Sequence, residues 1–165
     1  MRSFTLVEML ISVAIFLGLS SAVYAILNVG YQLYQRDLTN LELQQNLRRA
    51  MERILDELRE ASPNSINISQ LDDNNYRISF INYKEGSLVY QKDLGDLNMD
   101  THTDQIIRQS SSGITVLANN VSYLKFTKQI LEGKNYIDIE MEADKIFAQR
   151  IIRAFLKERV YLRNE

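Results

Sequence analysis

Cysteine is absent from this chain of 165 residues, and histidine occurs once, at His102. Without cysteine the chain forms no disulfide and offers neither a thiol nucleophile nor a thiolate metal site. A single histidine excludes a histidine-pair metal site and leaves a serine–histidine–aspartate triad without a spare base. No other catalytic constellation is found along the chain, so we expect no enzymatic activity and no cofactor.

Proline, glycine and net charge are also scarce. Pro63 is the only proline, there are six glycines, and the formal net charge is -2 at pH 7. The few prolines and glycines argue against a low-complexity chain. A near-neutral charge balance gives no electrostatic footprint for nucleic acid, so we expect no nucleic acid contact. Roughly 100–130 residues lie outside the apolar N-terminal run, which is enough for one small globular domain.

Charged residues are missing from Met9 to Val29, a predominantly apolar run. As a helix this run would be about 31 Å long, enough to cross a hydrocarbon core of about 30 Å. Glu8 lies directly before the run. A carboxylate left deep and unpaired in such a span costs roughly 2.5–3.5 kcal/mol on insertion scales. We therefore expect Glu8 to have a partner and to be a functional residue.

Residues 4–8 read Phe-Thr-Leu-Val-Glu and follow a short leader that ends at Ser3. This aromatic start, the fixed position of the Glu and the uncharged span that follows resemble the class III signal of type IV pilins and of type II secretion pseudopilins. The resemblance implies that a prepilin peptidase cuts between Ser3 and Phe4 and that the new amino terminus is methylated. The chain departs from the family pattern at Ser3, because the residue before the cut is normally glycine.

The same resemblance assigns Glu8 to a salt bridge with the Phe4 amino group of a neighbouring subunit in a helical filament. The physics agrees, because two opposite charges in a low-dielectric core attract strongly and each relieves the desolvation of the other. Glu8 would then set the register of subunits, since an unpaired Glu8 is costly. The implied partners are other pilin or pseudopilin subunits, the prepilin peptidase, the inner-membrane assembly platform and membrane lipid.

Three simpler interpretations compete for the N-terminal run. A secretory signal peptide cut after Ala25 would have a shorter apolar core of 7–15 residues and no carboxylate. A plain single-pass anchor fits the length of the run but gives Glu8 no role. A buried core helix is rarely apolar over so many residues. In all membrane interpretations Arg2 precedes the span, so the N-terminus is expected in the cytoplasm and the bulk of the chain outside.

The helix is predicted to continue beyond the membrane as an amphipathic half. One apolar stripe has spacings of three and four residues and comprises Leu43, Leu47, Met51, Ile54, Leu58 and Ala61. Arg53 and Glu57 form an i,i+4 pair that we place on the exposed face. Pro63 disfavours helix at the residue before it, so the helix should end near Ala61.

After Pro63 the apolar period changes to two, which is typical of half-buried strands. We predict strands at 65–71, 76–83, 88–92, 105–109, 114–117, 121–130 and 136–141, with tight turns at 84–87, 110–113 and 132–135. Tight turns join antiparallel neighbours, so we expect an α+β fold in which a long N-terminal helix packs on a small antiparallel β-sheet head. The segment 144–158 fits either a helix or a strand, and 155–162 fits a final strand.

The predicted organisation is a leader at 1–3, a transmembrane or filament-core helix at 4–29, an amphipathic helix at 30–61 and a β-rich head at 62–165. Within the head, Ile107-Arg108, the segment 117–126 and the end of the chain at 160–164 resemble the J-type minor pilins and pseudopilins (the PilW and ComGF-like group). That resemblance implies strand at the C-terminus and a minor subunit near the filament tip, where it helps to start or cap assembly.

One polar loop contains four aspartates and the single histidine, namely Asp93, Asp96, Asp100, His102 and Asp104. Oxygen-rich loops can bind calcium, and some pseudopilins bind it in such a loop. The spacing does not match the EF-hand pattern, and acidic loops are usually solvated, so we predict no metal site and leave calcium binding open. The main functional alternative to a filament subunit is a membrane-anchored extracytoplasmic binding domain that joins no filament.

Overall fold

The computed structural model describes residues 5–131 and 134–162. Two compact units divide the chain, Met1–Leu38 and Thr39–Glu165. The described part of the first unit is helical from Leu6 onward, and the helix, α1, runs without interruption from Leu6 to Arg59. The second unit contains the rest of α1, a short 3₁₀ helix at Pro63–Ser65 and all of the strands.

The C-terminal end of α1 lies two residues before the predicted position. The helix ends at Arg59, and Ala61 instead forms an isolated antiparallel bridge with Asn82. Pro63 opens the 3₁₀ helix, where its missing N–H costs nothing because first-turn donors have no partner within a helix. The prediction that Pro63 lies beyond the end of the helix is therefore confirmed. Ala61, the last residue predicted to be helical, pairs with the sheet instead.

The predicted apolar stripe, made of five residues of α1 and of Ala61 beyond its end, is buried along its whole length. Each of its six members is at most 5% exposed. Arg53 and Glu57 do form an ion pair, with 2.5 Å between Arg53 Nε and Glu57 Oε1. Its placement on the exposed face was wrong, because Glu57 is only 7% exposed and faces the sheet.

A five-stranded antiparallel sheet takes its strands in chain order. These are β1 (Asn67–Gln70), β2 (Tyr76–Asn82), β3 (Gly86–Lys92), β4 (Ile106–Ser110) and β5 (Gly113–Ala118). Asn82 pairs with Gly86 across a three-residue loop, and Gly86 has a φ of 80°, which explains the glycine at the predicted turn. Ser110 pairs with Gly113, so the second predicted turn is also confirmed.

A second, three-stranded antiparallel sheet contains β6 (Val121–Leu131), β7 (Lys134–Phe147) and β8 (Arg150–Tyr161). The predicted turn between β6 and β7 falls partly on Glu132 and Gly133, which lie outside the described residues. A parallel bridge between Asn75 and Leu124 joins the two sheets.

The segment 144–158 contains the end of β7 and most of β8 and no helix. Phe147 pairs with Arg150, so a loop of only two residues, Ala148 and Gln149, connects β7 to β8. Both residues have positive φ, 46° and 64°, as two-residue type I′ hairpin turns require. Such turns normally contain asparagine or glycine, so the sequence carried no turn signal at this position and left a helix as an alternative.

The core lies between the stripe of α1 and the inner faces of both sheets. Ile54 and Leu58 belong to the same buried cluster as Phe80 and Tyr90, whose rings stack with centroids 5.9 Å apart. The second sheet contributes alternate residues such as Ile137, Ile139 and Met141, all fully buried. The second unit therefore has the predicted α+β fold, with a helix packed on antiparallel sheet, although the strands divide into two sheets rather than one.

Candidate functional site

The first unit exposes a large apolar surface. All of its large apolar side chains from Leu6 to Leu38 are exposed. The most apolar window of α1 has a mean hydropathy of 2.3, and none of that window is buried against the rest of the chain. By length and composition this helix can cross a membrane, and so much apolar surface is rare on a soluble monomer.

Glu8 lies in the first turn of α1, at the start of this apolar surface. Its Oε2 accepts hydrogen bonds from the backbone N–H and the hydroxyl of Thr5, both at 2.9 Å. The Glu8 N–H in turn donates to the Thr5 hydroxyl at 3.3 Å. These reciprocal bonds form a capping box, which satisfies donors that the first turn of a helix leaves free.

The capping box gives Glu8 a local partner that sequence reasoning overlooked. Its signal was present, since Thr5 and Glu8 stand three residues apart directly before an apolar run. The predicted partner, the amino group of Phe4, and the predicted cleavage site at Ser3 and Phe4 lie outside the described residues. Both hydrogen bonds from Thr5 end on Oε2, and within 5–131 and 134–162 the other carboxylate oxygen has no hydrogen-bond donor.

The second unit contains a buried cluster of charges that joins α1 to the five-stranded sheet. Arg108 Nε on β4 donates to both carboxylate oxygens of Glu57 on α1, at 3.1 and 3.0 Å. The Tyr90 hydroxyl on β3 donates to Glu57 Oε2. The side chains of Arg108 and Glu57 are only 6% and 9% exposed. Tyr90 is fully buried.

The cluster extends outward to the β2–β3 loop. Arg108 Nη2 donates to Glu85 Oε2, and Glu85 Oε1 lies 3.8 Å from Arg53 Nη2. A polar crevice opens beside these groups and is lined by Arg53, Asp56, Glu57, Glu60, Asn82, Lys84 and Glu85. Most of its charges pair with one another, including Lys84 with Glu60 at 2.6 Å.

The pKa values of the cluster favour fixed protonation states. Burial alone would raise the pKa of Glu57, but hydrogen bonds from Tyr90 and Arg108 outweigh burial and hold the pKa below its ordinary value of 4.5. Burial, with help from the neighbouring Glu57 carboxylate, raises the pKa of the Tyr90 hydroxyl. Glu57 is therefore ionised and Tyr90 protonated at neutral pH, so this cluster acts as a structural tie rather than a proton-transfer pair.

Sequence reasoning missed this cluster for a physical reason. Glu57 stands beside Leu58 at the flank of the apolar stripe, a position that an exposed charge also occupies. Its main partner, Arg108, is 51 residues away. No local spacing links the two residues, so only the sheet order could have brought them together.

The acidic loop between β3 and β4 directs its carboxylates to its own backbone. Asp93, fully buried, accepts from the N–H groups of Gly95 and Leu97. Asp96 accepts from the Thr101 N–H and Asp100 from the His102 N–H. Among the described residues no three acidic or histidine side chains are placed to hold a metal ion. The loop is thus built around Asx-type turns.

Comparison of this chain with protein-family models, with curated proteins and with solved structures finds no match in any of the three.

Proposed function

We propose that this protein is a minor subunit of a type IV pilus or of a type II secretion pseudopilus and that it helps to start or cap filament assembly. The observation that carries the proposal is the first half of α1. Its apolar side chains are exposed on every face, and a carboxylate stands at its first turn. A helix that is apolar all round needs lipid or a bundle of similar helices around it. The resemblance of residues 4–8 to the pilin signal agrees with both surroundings.

The energetics suggest two stages. In the membrane, α1 lies in lipid as a single span, with the head outside, and Glu8 accepts its bonds from Thr5. In the filament, the Phe4 amino group of a neighbouring subunit takes the second oxygen of Glu8, which lacks a donor in the described chain. A charge-assisted hydrogen bond of this kind is about twice as strong as a neutral one. Glu8 would thus keep its cap and gain a partner only in the correct register.

A membrane-anchored binding domain that joins no filament is the second candidate. The observation that favours it is again the capping box, because Glu8 already has hydrogen-bond donors within its own chain. Hydrogen bonds from Thr5 offset part of the free-energy cost of desolvating the Glu8 carboxylate, so the argument that Glu8 needs a partner on another chain is weaker.

Photo-crosslinking in the native cell separates the two candidates. We expect a crosslinkable amino acid at Leu17, which is 61% exposed, to yield adducts with other proteins that start with a pilin-type signal. The same adducts should be lost in cells without prepilin peptidase, which serve as the control. Adducts with lipid alone, or protein adducts that do not depend on the peptidase, would favour the anchored binding domain.

A further inference from the structure

The β7–β8 hairpin ends in an exposed apolar surface, here called the tip patch, made of Ile146, Ile151 and Phe155. Their side chains are 76%, 56% and 57% exposed. Ile146 lies directly opposite Ile151 in the ladder, and Phe155 is four residues further along the same strand. Because side chains alternate along a strand, all three point to the same outer face of the sheet.

The tip patch lies at one particular end of the second unit. At the opposite end, Lys128 of β6, the ladder partner of Ile137, donates to the Pro63 carbonyl at 3.3 Å, just beyond the end of α1. From Ile137 strand β7 runs about 26 Å to Lys145, given about 3.3 Å per residue. The Lys145 ammonium lies 3.3 Å from the carboxylate of Glu42. Glu42 is a residue of α1 close to the start of the second unit.

The end of the unit that carries the tip patch is therefore also the end where the chain enters from the apolar run. The unit begins at Thr39, three residues before Glu42, and the uncharged stretch that starts at Met9 continues beyond Val29 to Gln35. Glu42 follows the end of the uncharged stretch by seven residues along the chain.

Charges around the tip patch nearly cancel. Lys145 pairs with Glu42, and Arg153 lies 3.6 Å from Glu142. Further from the tip, the outer face of the sheet carries two ion pairs, Lys157 with Glu140 and Arg159 with Asp138. Within the described chain, Arg150 and Asp144 near the tip have no ion-pair partner, one of each sign. Asp144 and Arg153 lie opposite each other on the outer face between Ile151 and Phe155, so one residue pair of opposite charge interrupts the tip patch.

We propose that the tip patch rests in the headgroup layer of the membrane that α1 crosses. The proposal depends on the proposed membrane insertion of α1. Aliphatic and aromatic side chains bind a lipid interface in proportion to the apolar area that they bury there. Because the neighbouring charges nearly cancel, apolar burial drives this contact, and neither anionic lipid nor low salt is required.

The chain contains no tryptophan, so a single introduced tryptophan reports its own surroundings. We would compare three variants of the full-length protein in phosphatidylcholine vesicles with and without acyl-chain bromine, a contact quencher. Ile151→Trp tests the tip patch. Ile130→Trp is the matched control, since Ile130 is 71% exposed at the other end of the same sheet. Leu17→Trp tests insertion of α1. Circular dichroism establishes that each variant keeps the fold.

We expect brominated lipid to quench Leu17→Trp and Ile151→Trp and to leave Ile130→Trp unchanged. The quenching of Ile151→Trp should persist in high salt. Quenching of Leu17→Trp without quenching of Ile151→Trp would overturn the tip contact and leave the membrane-anchored function standing. Absence of quenching of Leu17→Trp would overturn both the tip contact and the membrane insertion of α1. A blue-shifted Ile151→Trp emission that depends on protein concentration, without quenching, would show that a second copy covers the patch and would contradict the proposal.

Discussion

Replacing Arg108 with alanine is expected to lower the free energy of unfolding of the head by about 3–5 kcal/mol, the usual cost of removing one partner from a buried ion pair. The Glu57 carboxylate would lose both hydrogen bonds from Arg108 and remain buried. Arg53 and Tyr90 would still contact it, but Arg53 is half exposed and Tyr90 is uncharged. Denaturant unfolding of the full chain in detergent, followed by the loss of β-sheet circular dichroism, measures the change.

Two further variants test whether burial of the Arg108–Glu57 pair is the cause of the loss of stability. Arg153→Ala removes an arginine of the same size whose side chain is 64% exposed and lies 3.6 Å from Glu142. Exposed pairs contribute about 0–1 kcal/mol, so this control should change stability little. The double variant Glu57→Leu/Arg108→Met replaces the buried pair with apolar groups and should recover much of the loss. If Arg108→Ala and Arg153→Ala lower the free energy of unfolding by the same amount, burial of the cluster does not determine its contribution to stability.

Replacing Glu8 with glutamine is expected to reduce incorporation into filaments by about a hundredfold or more, with no loss of membrane insertion. Breaking a buried ion pair costs about 3–5 kcal/mol, and each 1.4 kcal/mol is a factor of ten. Glutamine can still accept the hydrogen bonds from Thr5, so the cap survives and only the charge is lost. Glu8→Val removes both the cap and the charge and should reduce incorporation into filaments at least as much. Immunoblots of filament and membrane fractions measure the distribution.

Thr5→Val provides the complementary control. It removes the hydroxyl of the capping box and keeps the Glu8 charge. A lost N-cap costs about 0.5–2 kcal/mol of local helix stability, so this variant should still enter filaments. If Thr5→Val fails as completely as Glu8→Gln, the carboxylate acts through the helix cap. If both variants enter filaments normally, Glu8 does not set the register of subunits.

The fold was predictable wherever a local pattern reports a local structure. The stripe from Leu43 to Ala61 predicted which face of α1 is buried, because a helix repeats its facing residues every three to four positions. Gly86 and Gly113 marked two real turns because both have positive φ. Strand positions followed from alternation, and each predicted strand overlaps an observed one.

The remaining features depend on contacts that no local pattern encodes. Ala148 and Gln149 form a tight turn without turn residues, so only pairing of β7 with β8 over twelve positions holds them there. Pairing of Glu57 with Arg108 depends on the order of strands in the sheet. At the candidate site, by contrast, the bonds between Thr5 and Glu8 had a local sequence signal, the three-residue spacing before an apolar run, and it was overlooked.

The mature N-terminus, determined by mass spectrometry of protein purified from its own membrane, tests the filament proposal most directly. The proposal predicts a chain that begins at Phe4 and carries a methylated amino group. That amino group is the one that Glu8 of a neighbouring subunit would bind. A chain that begins near Ala25 would contradict the proposal, because the helix would have been removed as a signal peptide. An intact Met1 would also contradict it and favour the membrane-anchored binding domain.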